Sequence, residues 1–422
     1  MPEARPQQRR FRLGPGIITG IADDDPSGIA TYSQGGAQFG YALSWTLLLT
    51  YPLMAAIQIA SARIGRITGR GLVANFKRRY PTWMVATLVA LLAVANVINL
   101  GADLRAMADV TALAIGWGHP SWYATFYGLG SLGLLVWIPY RRYVKILQWL
   151  SLSILAYVGV AFAVKVNWSM ALSDLVWPRW VWHRDYLTSI VAILGTTISP
   201  YLFFWQSSQE VEEIQRLADR EPLCTAPAQA QAGLGEIRRD TWVGMAISNG
   251  IAYFMIVAAA ATLHAQGITH IDSTEQAAQA LEPIAGPFAF WLFACGIVGT
   301  GLLALPVLAS TVGYAVASLL DRPLGLDHRP QHAKFFYGTL AATMLMGLVL
   351  SLLPINPIGA LYWSAVINAV IAVPIMAAVL KLASSAQAMN GFVLPPMLRI
   401  LGWLATGAMG LACVAMVTQI RL

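Results

Sequence analysis

Charge is what this 422-residue chain has least of. Only 11% of its residues are Asp, Glu, Lys or Arg, and 57% are hydrophobic. A soluble domain carries about 25% charged residues, so an ordinary soluble fold is excluded. Cysteine is scarce as well. Cys224, Cys295 and Cys413 lie far apart, two of them in apolar runs, and none has a metal-ligand spacing. That excludes a disulfide framework and a cysteine metal centre. Histidine is missing from the apolar runs: His119, His183, His264, His270, His328 and His332 all fall between them. No imidazole is left inside a span to relay protons near neutral pH. The opening MPEARPQQRRFR has no apolar h-region with a cleavage site, so no signal peptide is expected. The net charge of +7 is not read as a nucleic-acid signature, because the basic residues concentrate between the apolar runs.

Those runs are what the chain does have. Stretches such as WMVATLVALLAVANVINL and AFWLFACGIVGTGLLALPVL approach the roughly 20 apolar residues that cross a bilayer. Eleven spans are predicted, near 14–36 (interrupted), 42–62, 83–109, 121–140, 144–165, 187–214 (interrupted), 241–264, 287–318, 335–354, 358–382 and 396–418. The connections alternate. RPQQRRFR, RIGRITGR with FKRRY, RRYVK, RLADREP with EIRRD, and DRPLGLDHRPQHAK are basic; the intervening ones are not. The positive-inside rule then places the N-terminus in the cytoplasm and the C-terminus outside, in an inner or plasma membrane. One connection departs from the pattern. Residues 165–186 should be external yet carry Lys165, Arg179 and Arg184, with four tryptophans that suit an interfacial, amphipathic segment. Residues 217–239, rich in Ala, Gly and Gln, read as a flexible cytoplasmic linker.

Two spans are broken. GIADDDPSGIAT interrupts the first and GTTISPY the sixth. A carboxylate at the bilayer centre costs roughly 2.5–3.5 kcal/mol, so three in a row need a reason. The plainer reading is a surface turn in which Asp25 or Ser27 caps the next helix. Against it, the apolar segments on either side are each half a span at about 1.5 Å per residue. Together they make one helix broken at mid-membrane, where irregular backbone must line protein or a wet cavity. Pro26 cannot continue the helical ladder. The first half ends near Ala22 and the half over 187–198 ends at Thr196–Ser199, each leaving carbonyl oxygens at the negative pole of a helix. Two such ends and an aspartate make an all-oxygen site for a hard divalent cation. The breaks lie five spans apart, so the second unit is inverted relative to the first, a pattern found in secondary transporters.

The stretch GPGIITGIADDDPSGIATYSQGGAQFGYALSW, followed by LTYPLMAAIQIASARIGRITGRGL, resembles the first two spans of the NRAMP divalent-metal transporters. The resemblance is strong over 11–75 and 190–210 and collinear elsewhere. It implies an all-α integral membrane protein of LeuT-like fold, with 5+5 inverted repeats over 13–165 and 187–383 and an extra span at 396–418. The family carries Asp-Pro-Gly-Asn in span 1 and Met-Pro-His in span 6. By position, its metal-binding aspartate falls on Asp25 and its asparagine on Gly28. Its carbonyl ligands fall on Ala22 and Thr196, its methionine on Ser199, and its two histidines on Tyr201 and Gln206. Losing a soft thioether at Ser199 disfavours transition metals. Gly28 is read as opening space in which an ion keeps more of its water, as Mg²⁺ does. This pattern resembles the NRAMP-related magnesium transporters.

Asp23 and Asp24 are expected to raise the negative potential while pointing elsewhere. Asp103 falls where the family has an acidic residue, but the glutamate three residues later falls on Ala106. Arg105 and Asp109 read as members of structural pairs between helices. Asn249 reads as an interhelical hydrogen-bonder; Asn368, on span 10, is a candidate near the metal. Glu210, Glu212 and Glu213 read as a solvated helix end. The expected function is a secondary transporter moving Mg²⁺ and/or Mn²⁺ into the cytoplasm by alternating access, without proton coupling. It is not an enzyme and needs no cofactor; the divalent cation is its substrate and the lipid bilayer its setting. The oligomeric state is left open, a monomer being compatible. The alternatives are a proton-coupled Mn²⁺/Fe²⁺ importer, an organic-substrate carrier, a non-transporting sensor and an intramembrane aspartyl protease. Asp25 and Asp103 would be the only pair available to the last, and its flanking motifs are absent.

Overall fold

A computed structural model describes residues 14–137, 152–181 and 183–420. Among these, the regular structure is all helical. In chain order the helices are α1 (Pro15–Asp23), α2 (Pro26–Phe39), α3 (Trp45–Thr68), α4 (Leu72–Lys77), α5 (Thr82–Ile115), α6 (Pro120–Trp137), α7 (Ala156–Ala163) and α8 (Trp168–Val176). They continue as α9 (Arg184–Thr197), α10 (Pro200–Arg216), α11 (Ala230–Thr262), α12 (Thr274–Gln279), α13 (Glu282–Ala285), α14 (Ala289–Leu319), α15 (Lys334–Ser351), α16 (Pro357–Ala383) and α17 (Pro396–Ile420).

Helices follow the expected spans, with the basic RRYVK connection and part of the fifth span outside the described residues. Eight helical stretches among the described residues are long and apolar enough to cross a membrane unaided, or nine if the bent pair α7–α8 is one span. The first span is not among them, because α1 and α2 are halves of 9 and 14 residues. Both halves pack on α11, while α9 packs on α16 and α10 on α3. Small residues allow this closeness. A Cβ on Gly20 would overlap the Gly244 backbone, and one on Gly195 would overlap the backbone of Ala365 in α16. Such close approach is how helices associate where lipid offers no hydrophobic drive between them.

Three expectations are corrected. RIGRITGR is not a loop: α3 runs on to Thr68, burying Arg63 and Arg66. Arg63 Nη2 donates to the Phe392 and Val393 carbonyls at 3.0 Å each. Nor is 217–239 a free linker. α11 begins at Ala230, and the preceding stretch is tied to the end of α3: the Leu223 N–H donates to the Arg66 carbonyl at 3.2 Å, and Arg66 donates to Glu221 O at 2.6 Å and Gln229 Oε1 at 3.0 Å. The acidic end of α10 is not solvated either. Glu210 and Glu212 are 2% and 5% exposed, because the chain folds back over them. Glu212 accepts from the Tyr314 hydroxyl and, at 2.7 Å, from the Leu326 N–H. Arg220 bridges Glu213 at 3.1 Å and Glu236 at 2.7 Å.

Asn249 does hydrogen-bond between helices, accepting from Thr50 at 3.4 Å. Asp109 also bonds across elements, but to Thr274 at 2.9 Å rather than to a charge. No ion pair forms between Arg105 and Asp109 among the described residues.

Candidate functional site

The first break is two residues long. Asp24 ends α1, and Asp25, in extended conformation, is the N-cap of α2. Pro26 follows at a helical position where its missing N–H costs nothing. The Asp25 carboxylate is 2% exposed. Its Oδ1 accepts from the Gly28 N–H at 3.0 Å and from Ser27 Oγ at 2.5 Å. Its Oδ2 accepts from Asn99 Nδ2 of α5 at 3.0 Å and lies 3.3 Å from the Tyr201 hydroxyl of α10. That hydroxyl is also 3.3 Å from the Ala22 carbonyl oxygen at the end of α1. Asp25 therefore caps α2, as the plainer reading had it, but inside the helical packing rather than on a surface turn. Four donors fill the two oxygens of a carboxylate, which offers about four lone-pair sites.

The second break faces the first. α9 ends at Thr197 and Ser199 precedes α10. Ser27 Oγ is 3.4 Å from Thr196 Oγ1, and the Tyr32 hydroxyl is 3.1 Å from Thr197 Oγ1. Ala22, Asp25, Gly28, Thr196 and Tyr201 are thus brought together. Ser199 lies in the break, but its hydroxyl is turned back, 2.9 Å from the carbonyl oxygens of both Gly195 and Thr196. Gly28 does not open space: a Cβ there would sit 3.3 Å from Thr196 Oγ1 and 3.3 Å from the Tyr32 ring.

Other expected residues stand apart. Asp23 and Asp24 share Ser248 of α11, whose Oγ is 2.6 Å from Asp23 Oδ2 and 3.2 Å from Asp24 Oδ1. Neither is hydrogen-bonded to a group that holds the Asp25 carboxylate, among the contacts of the described residues. Gln206 donates to Thr241 of α11 at 2.9 Å, which turns it from the breaks. Asp103 and Asn368 are buried, and neither side chain has a hydrogen-bond partner among the described residues. Each lies one helical turn from a residue that does reach the site: Asp103 from Asn99, and Asn368 from Ser364.

Asn99 and Ser364 were missed by the sequence reading. The Ser364 hydroxyl donates to Asn99 Oδ1 at 2.8 Å, fixing the amide whose nitrogen holds Asp25. The available signal was the spacing of Asn96, Asn99 and Asp103, which puts three polar groups on one face of an otherwise apolar helix. Among the described residues, no three His, Cys, Asp or Glu side chains converge to hold a metal. One carboxylate amid hydroxyls, amides and carbonyls offers hard oxygen donors.

Solved structures share this architecture. A manganese transporter from Eremococcus coleocola, solved with an aromatic bis-isothiourea substituted compound, superposes with a TM-score of 0.81 at 17% identity, covering 99% of this chain and 89% of that one. Mhp1, a nucleobase-cation-symport-1 family transporter in a closed conformation, superposes at 0.56 with 12% identity, covering 97% and 92%. Fold and paired breaks together define an all-helical architecture of the LeuT-like fold. The family profile described as Natural resistance-associated macrophage protein-like matches residues 16–419. The chain belongs to the Nramp family. Its relatives include the divalent metal cation transporter MntH of Deinococcus radiodurans, 29% identical over 369 residues (84% of this chain, 77% of that one). That of Klebsiella pneumoniae is 26% identical over 405 residues (93% and 90%).

Proposed function

We propose that this protein carries a divalent cation, Mg²⁺ or Mn²⁺, into the cytoplasm by alternating access, with the ion held between the two breaks at Asp25. The observation that carries this reading is a buried carboxylate at the break that ties α2 to α5 and α10, with Tyr201 also beside the Ala22 carbonyl at the end of α1. The names of the MntH relatives support the divalent-cation class. The ligands are the Asp25 carboxylate, the carbonyls of Ala22 and Thr196, and oxygens at Gly28 and Ser199. Because four donors already fill the carboxylate, an ion reaches it directly by displacing the longest contact, Tyr201, or through one water. The units 13–165 and 187–383 rock about this centre, with the N-terminus cytoplasmic and the C-terminus external.

Ser199 in place of a thioether supports Mg²⁺ alongside Mn²⁺. Five of the six histidines lie outside the long spans and His264 sits at the very end of one, which supports transport without proton coupling. The driving force is then the membrane potential, about 2.3 kcal/mol per charge per 100 mV and twice that for a divalent ion. The test is uptake of Mg²⁺ and Mn²⁺ into proteoliposomes under an imposed potential, with an internal pH dye. Flux of both ions without acidification is expected. Manganese flux with acidification and no magnesium competition would instead favour a proton-coupled importer, which the manganese transporter named among the structural neighbours makes the alternative to test.

Asn99 and Ser364 provide a second check. Asn99→Ala removes a hydrogen bond to a charged group, about 1.5–3 kcal/mol, and is expected to lower uptake about tenfold. Ser364→Ala acts one bond further out and should cost less. Equal losses would mean that the pair serves packing rather than Asp25.

A further inference from the structure

The connection that departs from the alternating charge pattern forms a cavity of its own. α8 turns 119° from the helix before it. It buries Ala171 and Asp174 and leaves Met170, Leu172 and Val176 exposed, with Trp177 and Trp180 beyond its end. A short helix with an apolar outer face and tryptophans at its edge lies at headgroup depth. Behind it, against the ends of α2 and α11, is a cavity of about 470 Å³ whose polar lining is Tyr41, Lys165, Asn167, Arg179 and His264. Among the described residues, no Asp or Glu lines it.

We propose that this cavity binds the phosphate headgroup of an anionic membrane phospholipid. Arg179, Asn167 and His264 are each held by a hydrogen bond that leaves a further valence. Asp174, 2% exposed, takes Nε and Nη2 of Arg179, which leaves the two Nη1 hydrogens. Asn167 Oδ1 caps α8 by accepting from the Met170 N–H at 3.1 Å, which leaves its amide nitrogen to donate. His264 Nδ1 donates to the Ala37 carbonyl at 2.8 Å, which fixes the ring and leaves Nε2 for a headgroup oxygen. Lys165 forms no ion pair among the described residues and supplies the uncompensated charge.

The wall is rigid. Tyr186 Oη lies 3.0 Å from the Ala42 carbonyl and 2.9 Å from the Arg179 carbonyl, and accepts from Trp45 Nε1 at 3.0 Å. The anionic class follows from the lining: donors and cations meet a phosphate, and among the described lining residues no carboxylate faces the cavity to hold the ammonium of a zwitterionic headgroup, Asp174 being taken up by Arg179. A lipid rather than free phosphate follows from the apolar part of the lining, Phe39, Met170 and Val181, beside the exposed face of α8. The site also gives the basic residues of this connection a role other than setting topology.

The test is native mass spectrometry of the full chain in detergent, titrated with phosphatidylglycerol, phosphatidylcholine of the same acyl chains, or inorganic phosphate. One phosphatidylglycerol is expected to bind about fivefold more tightly than phosphatidylcholine, the difference that one basic side chain makes near a membrane surface. Lys165→Glu should erase that preference and Lys165→Arg should keep it. Size-exclusion profiles show whether either variant is misfolded, and the Lys165→Arg result carries the test if Lys165→Glu is. Equal binding of the two lipids by the unaltered chain would overturn the proposal. So would a preference that survives Lys165→Glu, or one lost in folded Lys165→Arg. Displacement of the lipid by millimolar phosphate would also overturn it, in favour of a free-anion site.

Discussion

Asp25→Asn is expected to abolish uptake of both Mg²⁺ and Mn²⁺ by proteoliposomes, at least a hundredfold, while leaving the protein folded. Asn is nearly isosteric and caps helices as well as Asp does, so the Gly28 N–H and Ser27 hydroxyl keep an oxygen to donate to. What is lost is the charge, together with the acceptor for Asn99 Nδ2 and the Tyr201 hydroxyl. Two unit charges about 4 Å apart interact by about 4 kcal/mol at an effective dielectric of 20, and a divalent ion doubles that. Each 1.4 kcal/mol is about tenfold, so a hundredfold loss is a conservative expectation. Asp25→Ala removes charge and cap together and should add about 1 kcal/mol of instability, read as a lower melting temperature. The two variants separate the roles that this residue combines. Uptake above half the unaltered rate in Asp25→Asn would reduce Asp25 to a helix cap and sink the transport site proposed for it.

The broken spans were legible in the sequence because their signals are local. Three aspartates, a proline and a glycine between two half-length apolar runs admit few arrangements in a bilayer, and Pro200 marks the second break in the same way. Asn99 and Ser364 were not legible as a pair, since they lie on spans 3 and 10 and meet only through the packing of α5 on α16. The space at Gly28 was misjudged for the same reason. A missing side chain implies room only if no neighbour fills it, and Thr196 and Tyr32 come from elsewhere in the fold. Glu212 shows the limit in the other direction. Its local sequence, EVEEIQR, is that of a wet helix end, and only the return of Tyr314 and Leu326 makes it a buried acceptor. Charge patterning marks where a helix meets solvent in an isolated span; it is blind to the loops that cover that end.

Ser199→Met is expected to raise the ratio of Mn²⁺ to Mg²⁺ uptake about tenfold, which corresponds to about 1.4 kcal/mol of differential binding. Two effects act together. The serine hydroxyl now lies 2.9 Å from the Gly195 and Thr196 carbonyls, so its removal frees the Thr196 oxygen that stands at the end of α9. The thioether adds a soft donor, which favours Mn²⁺ over Mg²⁺ and lets softer ions such as Cd²⁺ compete. Position 199 is 2% exposed, and inserting a longer side chain into a packed interior costs roughly 1–3 kcal/mol. Absolute rates will therefore fall for both ions, and the ratio is the quantity to read. It is measured by competition, with one ion labelled and the other titrated against it. A ratio that does not move, in a variant that still transports, would mean that selectivity is set elsewhere. Thr196 and Gly28 would then be the next positions to change, since Thr196 meets Ser27 across the two breaks and the Gly28 N–H donates to Asp25.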